Sequence, residues 1–395
     1  METVDILAID IGTDTIKVFF GRQENGNLLV HAVGTVPTAG FDKGVVTDVK
    51  ALAKSIKQAV DCVFSATTFS QGHVFLGIGG MGIRSVHCLG SVAAASAAAI
   101  IQKDIDRVYR AAVLAGVPDE YQVLHVLPRR FWVDKREQSE KPLGQRGSQL
   151  EAEAQVIVIP RQTVDSILSA LQAVGITIEG VVANGIVSAQ NMLPEINLSR
   201  YLFIDLGAGT TDIVLYSDGK IYDSASLSLG GGYITRDIMQ GLDISQEHAE
   251  EIKRYYAKLT PNLLGQDLIL DCNDYGTTDK QIAYDFLYNI IESRVDEIVH
   301  LVYDYCKASL AGCDFEEILL TGGCAVMPSI KESIEKVFGV KVCIIKPEQV
   351  LLEYSYPYNT ACCGIIRHGM KNVTLMQPQN NTSWRSLIRR IKKIF

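Results

Sequence analysis

The chain has 395 residues, 47% of them hydrophobic and 21% charged, enough apolar material for two or three packed domains and too much for a disordered chain. A formal net charge of −8 argues against a nucleic-acid-binding protein. No stretch approaches the roughly 18 apolar residues of a membrane-spanning helix, and Met1-Glu2-Thr3-Val4-Asp5 has no basic signal-peptide region.

Residues 6 to 20 read Ile-Leu-Ala-Ile-Asp-Ile-Gly-Thr-Asp-Thr-Ile-Lys-Val-Phe-Phe. This predicts an apolar strand carrying Asp10, a polar turn with Gly12, Thr13 and Thr15, and a second strand carrying Lys17. Further on, Gly77-Ile78-Gly79-Gly80-Met81-Gly82 spells GxGxxG. The residues after it, Ile83 to Cys88, read as a strand and not a helix, so the dinucleotide-binding context is missing. Glu151 and Glu153 alternate ahead of Val156-Ile157-Val158-Ile159, which predicts a solvated strand face.

About half a chain after the first hairpin, residues 202 to 216 read Leu-Phe-Ile-Asp-Leu-Gly-Ala-Gly-Thr-Thr-Asp-Ile-Val-Leu-Tyr. This repeats the pattern, with Asp205, Gly207, Gly209, Thr210 and Thr211 at the tip. The repeat implies a duplicated, two-lobed protein. Gly230-Gly231-Gly232 precedes a predicted helix from Tyr233 and either faces an anion or caps the helix. Ile318 to Leu320 predict a strand, followed by a Thr321-Gly322-Gly323 turn and a helix from about Pro328. A glycine pair there either lets a flat group lie on the backbone or makes an ordinary turn. Nine Cys without a CxxC pair, mostly in apolar contexts, read as buried reduced thiols of a cytosolic protein. The seven His show no metal-ligand spacing.

The chemistry of the tips follows from their parts. Glycine lets the backbone approach an anion and present its N–H groups, and Thr hydroxyls add donors. Asp10 and Asp205, ending the two first strands, suit a hydrated Mg²⁺ facing phosphates. Two tips facing across a cleft would grip the phosphates of one nucleotide from both sides.

The chain closes differently. Met370 to Thr382, with Gln377-Pro378-Gln379-Asn380-Asn381, reads as a polar linker. Beyond it Trp384, Leu387, Ile388, Ile391, Ile394 and Phe395 fall on one helical stripe, with Arg385, Arg389, Arg390, Lys392 and Lys393 on the opposite face. Basic and amphipathic, after a Gln/Asn linker, this predicts a helix that lies on a membrane surface.

The two hairpins and the Thr-Gly-Gly turn together resemble the ATPase fold shared by actin, Hsp70 and sugar kinases. The resemblance implies two ribonuclease-H-like halves around ATP and Mg²⁺. The phosphate motifs would be Asp10, Gly12, Thr13, Thr15 and Lys17, and Asp205, Gly207, Gly209, Thr210, Thr211 and Asp212; Gly322 and Gly323 would face adenosine. Helices at Asn184 to Met192 and Asn359 to Gly369 would cross closely at a hinge through Gly185, Ser188, Ala189, Ala361 and Gly364.

Val123-Leu124-His125-Val126-Leu127-Pro128-Arg129, Val133-Asp134, Lys141-Pro142-Leu143-Gly144 and Gly147 narrow the resemblance to the FtsA family of bacterial cell-division proteins. Its implied subdomains are 1A (1–83, 161–193, 345–369), an inserted 1C (84–160), 2A (194–226, 301–344) and 2B (227–300), then a linker (370–382) and a membrane-targeting helix (383–395). Glu250 and Lys253 would contact ribose and adenine, Gly231 and Gly232 the phosphates, and Asn184 would orient an attacking water. The family reading is a protein on the cytoplasmic face of the membrane at the division septum. It would assemble with itself, tether FtsZ through 2B, meet later division proteins through 1C and bind anionic lipid with Trp384 to Phe395. ATP would act as an assembly switch. A sugar-kinase-type phosphotransferase would need a carboxylate base aimed at an acceptor hydroxyl. An Hsp70-like chaperone would need a peptide-binding domain after residue 370, and a pilus-assembly adaptor would lack the terminal helix.

Overall fold

A computed structural model describes residues 4–25, 27–67, 73–95, 99–138, 141–192, 199–256, 265, 269–271, 281–309 and 314–374. The first lobe opens with β1 (Ile6–Ile11), β2 (Thr15–Glu24), β3 (Asn27–Pro37), the short pair β4 (Phe41–Asp42) and β5 (Val45–Val46), α1 (Val49–Ala66) and β6 (His73–Ile78). An inserted unit follows, comprising β7 (Arg84–Ala93), α2 (Gln102–Gly116), β8 (Tyr121–Val133), β9 (Arg136–Gln138) and β10 (Gln149–Pro160). α3 (Arg161–Ala173), β11 (Gly180–Ala183) and α4 (Asn184–Met192) return to the first lobe. The second lobe runs β12 (Arg200–Leu206), β13 (Thr211–Ser217), β14 (Lys220–Leu227), α5 (Gly231–Leu242), α6 (Gln246–Tyr256), β15 (Ile269–Asp271), β16 (Gln281–Ala283), α7 (Tyr284–Ser309), β17 (Glu317–Thr321), α8 (Pro328–Phe338) and β18 (Val342–Ile344). α9 (Thr360–Thr374) crosses back.

The duplication is visible strand for strand. The first sheet has the order β11-β6-β1-β2-β3, with β1 antiparallel to β2 and parallel to β6. The second lobe repeats it as β18-β17-β12-β13-β14, with β12 antiparallel to β13 and parallel to β17. The central strands are near-continuous apolar runs because both faces are covered: every residue of β1 is buried. α1 shows how the cover is fixed. Asp48 caps it by accepting from the Lys50 and Ala51 amides, and Leu52, Ile56, Ala59, Val60 and Val63 form its buried stripe. The largest core runs on from the first sheet to Tyr201, Phe203 and Val214 of the second, so the lobes share a core.

α4 and α9 join the lobes. A Cβ on Gly364 would lie 2.8 Å from the Val187 carbonyl oxygen, and one on Gly185 would lie 2.9 Å from Asp212 Cβ. Gly364 lets α9 pass close over α4, and Gly185 lets α4 lie close on β13. α9 continues to Thr374, beyond Gly369, because Met370 and Val373 pack on the core beneath it. α7 runs straight through residue 300, its apolar stripe continuing through Val299, Val302 and Cys306.

The inserted unit is not a free appendage. Its four strands extend the second lobe's sheet to nine, in the order β18-β17-β12-β13-β14-β7-β10-β8-β9. The junction is one bridge, Ala225 with Arg84. It is braced by Lys220 Nζ donating to the Arg129 carbonyl at 2.8 Å and by the Arg129 guanidinium 4.3 Å from the Tyr222 ring. This arrangement corrects the expectation for Glu153. It is buried, not solvated, and accepts from His87 at 2.7 Å and pairs with Arg129 at 2.9 Å. A buried carboxylate persists when it is paired.

Among the described residues no helix is long and apolar enough to cross a membrane. The described cysteines are free thiols; Cys88, Cys306, Cys324, Cys362 and Cys363 are buried, Cys62 is exposed and Cys343 lies between. The terminal stripe from Trp384 to Phe395 and most of the predicted linker lie outside the described residues.

Candidate functional site

The strand order places the β1–β2 tip opposite the β12–β13 tip, and the two are built alike. In each, the glycine after the strand donates to a Thr carbonyl: Gly12 to Thr15 at 3.1 Å, and Gly207 to Thr210 at 2.9 Å. The tips meet across the cleft. A Cβ on Gly209 would stand 2.2 Å from Thr13 Oγ1. Glycine is therefore required here first by the facing tip. Between the lobes lies a cavity of about 690 Å³. Its walls include Asp10, Gly12, Thr13, Thr15, Lys17, Asn184, Asp205, Gly207, Gly209, Thr210, Glu250, Lys253, Gly322 and Gly323. Both hairpin tips, the Glu250–Lys253 segment and the Gly322-Gly323 turn thus meet in one place.

Its floor is acidic and largely buried, with Asp10, Asp212 and Asn184 all buried. Asp10 accepts from Asn184 Nδ2 at 2.7 Å. Burial raises the Asp10 pKa, with Lys17 and Asn184 opposing. Asp205 is pushed up to about 8 by burial and by the charges of Asp212 and Asp10. Asp212 is pushed up to about 6 by burial, with the Asp10 charge adding. Clustered buried carboxylates favour protonation or a neutralising cation. Two buried acceptors there, Asn184 Oδ1 and Asp212 Oδ1, have no hydrogen-bond partner. The same two side chains flank Gly79 through their other atoms, where a Cβ would lie 3.2 Å from Asp212 Oδ2 and 3.6 Å from Asn184 Nδ2. Lys17 donates to the Tyr358 carbonyl and lies 5.2 Å from that ring's centroid.

The opposite wall suits a flat group. Gly322 has φ +96, and a Cβ there would strike Asp205 Oδ1 at 2.5 Å, whereas nothing lies within 4 Å of a Cβ on Gly323. Lys253 is buried, donating to Glu250 at 2.5 Å, Thr235 at 2.8 Å and the Gly231 carbonyl at 3.3 Å. It is a pillar between α5 and α6 as well as a cavity wall. Arg254, the next residue of α6, reaches Asp14 of the first tip at 3.9 Å.

Three expected contacts fall elsewhere. Thr211 is fully buried and its hydroxyl donates to the Leu229 carbonyl at 2.6 Å, because β13 alternation turns it away from the tip. Gly231 and Gly232 do not line the cavity. Their amides are spent on the Gly207 and Ala208 carbonyls, at 2.9 and 2.7 Å, so the start of α5 braces the second tip instead. Sequence reading set the Gly77–Gly82 run aside as a dinucleotide motif, yet Gly79 lines the cavity. Its signal was a glycine run at the C-terminal end of a strand. Tyr358, Met327 and Arg254 also line it, without any spacing signal.

Comparisons with known proteins agree with this geometry. A family model described as cell division protein FtsA matches residues 202–364, and one described as SHS2 domain inserted in FTSA matches residues 80–158. The chain is similar to cell division protein FtsA of Pseudomonas aeruginosa, 30% identical over 353 residues covering 87% of this chain and 84% of that one. It is 31% identical to the Bacillus subtilis protein of that name over 349 residues, covering 87% and 79%. Among solved structures, a PilM-PilN type IV pilus biogenesis complex aligns with TM-score 0.68 at 18% identity, covering 93% of this chain and 99% of that chain. MreB5 of Spiroplasma citri bound to AMPPNP aligns with TM-score 0.51 at 14% identity, covering both chains fully.

Proposed function

Because the chain belongs to the FtsA family of cell-division proteins, we propose that its cleft binds ATP with Mg²⁺ and that occupancy switches an actin-like assembly on the membrane. The observation that carries this reading is the meeting of both Gly-Thr tips and the Gly322-Gly323 turn around one cavity. Backbone amides and the Thr13, Thr15 and Thr210 hydroxyls would hold phosphate oxygens, Lys17 would neutralise charge between the tips, and a purine would lie over Gly323. Among the described residues no three acidic, His or Cys side chains converge to ligate a metal directly. Asp10 and Asp205 therefore suit a cation that keeps part of its water shell. Bound Mg²⁺ supplies charge neutralisation for the phosphates and for the acidic floor. Asn184, already bonded to Asp10, would orient a water beside Asp212. Isothermal titration with ATP and Mg²⁺ tests the site; no heat of binding with the folded protein would overturn it.

The partners follow from the family reading. The FtsZ C-terminal peptide would dock on the second lobe's insertion, residues 227–300, and later division proteins on the unit from 84 to 160. Fluorescence anisotropy with that peptide should respond to surface changes in 227–300 and not in 84–160; the reverse pattern would overturn the assignment. The terminal segment would anchor the assembly to the cytoplasmic leaflet at the septum. Its five cations each contribute about 1 kcal/mol near an anionic surface at low salt, and the apolar stripe adds burial. A chain ending at Gln379 should no longer pellet with anionic vesicles; if it still pellets fully, the tail is not the anchor.

A further inference from the structure

The short β4–β5 pair lies beside the cleft, with Phe41 of β4 on its wall. Its turn residue, Lys43, has contacts in both lobes. The backbone is fixed to the first. The Lys43 carbonyl accepts from Met81 N–H at 2.9 Å, and its φ of +50 is left-handed. The next residue, Gly44, packs on Gly80 so tightly that a Cβ on either would lie within 2.9 Å of the other's backbone. The turn is thereby pinned to the glycine run that lines the cleft. From behind the first tip, Lys43 N–H donates to Thr13 Oγ1 at 3.1 Å. That fixes the hydroxyl as an acceptor on one side and leaves its proton for a group in the cleft.

The side chain crosses to the second lobe. Lys43 Nζ donates to the Tyr233 hydroxyl at 2.5 Å and lies 4.4 Å from the ring centroid. Tyr233 sits in the first turn of α5, whose two preceding amides hold the Gly207 and Ala208 carbonyls of the second tip. Gly209 of that tip abuts Thr13. The contacts therefore form a closed circuit: Thr13, Lys43, Tyr233, the start of α5, the second tip, and back to Thr13.

We propose that Lys43 is a positioning residue that closes this ring around the phosphate end of the cleft, so that an anion at the tips holds the lobes together. Two further cations flank the Tyr233 ring. Arg236 and Arg294 lie 5.2 and 5.5 Å from the Tyr233 ring, with Arg294 held on Asp237 at 2.6 and 3.0 Å. The inference rests on the nucleotide reading for its ligand, and on the ring alone for its mechanics.

The test has two arms on the full chain. In stopped-flow release of a fluorescent ATP analogue chased with ATP and Mg²⁺, Lys43→Ala should release about 10-fold faster, the loss expected for a hydrogen bond to a charged group. Lys43→Met, which keeps the stem, should behave likewise. Tyr233→Phe should be faster by less, because the ring stays. The double variant Lys43→Ala with Tyr233→Phe should be no faster than Lys43→Ala alone, since one contact is lost once. Equal release from Lys43→Ala and wild type, or singles that multiply in the double, overturns the ring. The second arm needs no nucleotide. Hydrogen exchange of segments 39–47 and 229–236 should accelerate in Lys43→Ala without nucleotide while the melting temperature holds. Unchanged exchange there overturns the proposal even if the nucleotide reading itself fails.

Discussion

The two hairpins share strand register and tip hydrogen bonds, yet they differ in the charge of one cross-strand pair. In the first, Asp10 stands opposite Lys17; at the same register position in the second, Asp205 stands opposite Asp212. The first tip carries its own countercharge. The second sets two carboxylates side by side, each raised by burial, with Asp10 adding to both. The duplication preserved the scaffold, and the difference made the halves electrostatically complementary: one donates a cation to the cleft, the other requires one. A site in which one wall is under-neutralised is poised to take up a proton or a divalent ion when the cleft is filled.

The largest expected effect comes from forcing the tips apart. Gly209→Val would place branched carbons where Thr13 stands, 2.2 Å from an ideal Cβ. Titration calorimetry should show ATP affinity reduced at least about 100-fold, by analogy with the few kcal/mol that overpacking costs. Near-normal affinity would mean that the tips do not face each other as described.

Next comes removal of the first tip's countercharge. Lys17→Met should weaken ATP binding by roughly 10- to 100-fold, the range for a lost charge-assisted hydrogen bond. It should also raise the pKa values of Asp10 and Asp205, both of which Lys17 now lowers. Retained affinity would show that the first tip's cation does not serve the ligand.

The second tip's like-charge pair predicts a pH dependence with a definite sign. Carboxylates whose folded pKa lies above the unfolded value bind more protons in the folded state, so nucleotide-free stability is greatest at low pH and falls as pH rises. For Asp212 and Asp205 the window runs from near 4 up to about 6 and about 8. Thermal melts without nucleotide should therefore decline through this range, after allowance for the rest of the chain. Asp212→Asn should flatten the decline and raise the melting temperature at pH 8 by several degrees, since a shift of one unit corresponds to about 1.4 kcal/mol. Stabilisation by Mg²⁺ with ATP should be larger at pH 8 than at pH 5.5. An unchanged pH profile in Asp212→Asn would remove the contrast between the hairpins.

The smallest effect tests which tip residues face the cleft. Thr211→Val keeps the shape and loses the bond to the Leu229 carbonyl, costing stability of about 1 kcal/mol without altering ATP affinity. A change in affinity instead would return Thr211 to the nucleotide.

Much of the molecule was legible in the chain. The strand-turn-strand pattern written twice announced two lobes, because a buried central strand needs an unbroken apolar run and a tight tip needs glycine. Asp10, Asp205, Thr13, Thr15, Thr210 and Gly322-Gly323 were legible as cleft residues for the same reason: the backbone conformation and the chemistry at those points admit few residue types. The amphipathic tail is likewise a statement of sequence periodicity.

Tertiary structure alone decided the rest. Thr211 and Glu153 changed roles because alternation says which side a residue faces but not what covers that side. Gly231 and Gly232 turned from ligand donors into braces because the second tip's carbonyls reached their amides first. The continuation of the second lobe's sheet into the inserted unit through Ala225 and Arg84 and the ring through Lys43 join residues far apart in the chain. Such contacts depend on how whole elements pack, and local spacing carries no record of which distant surface will arrive.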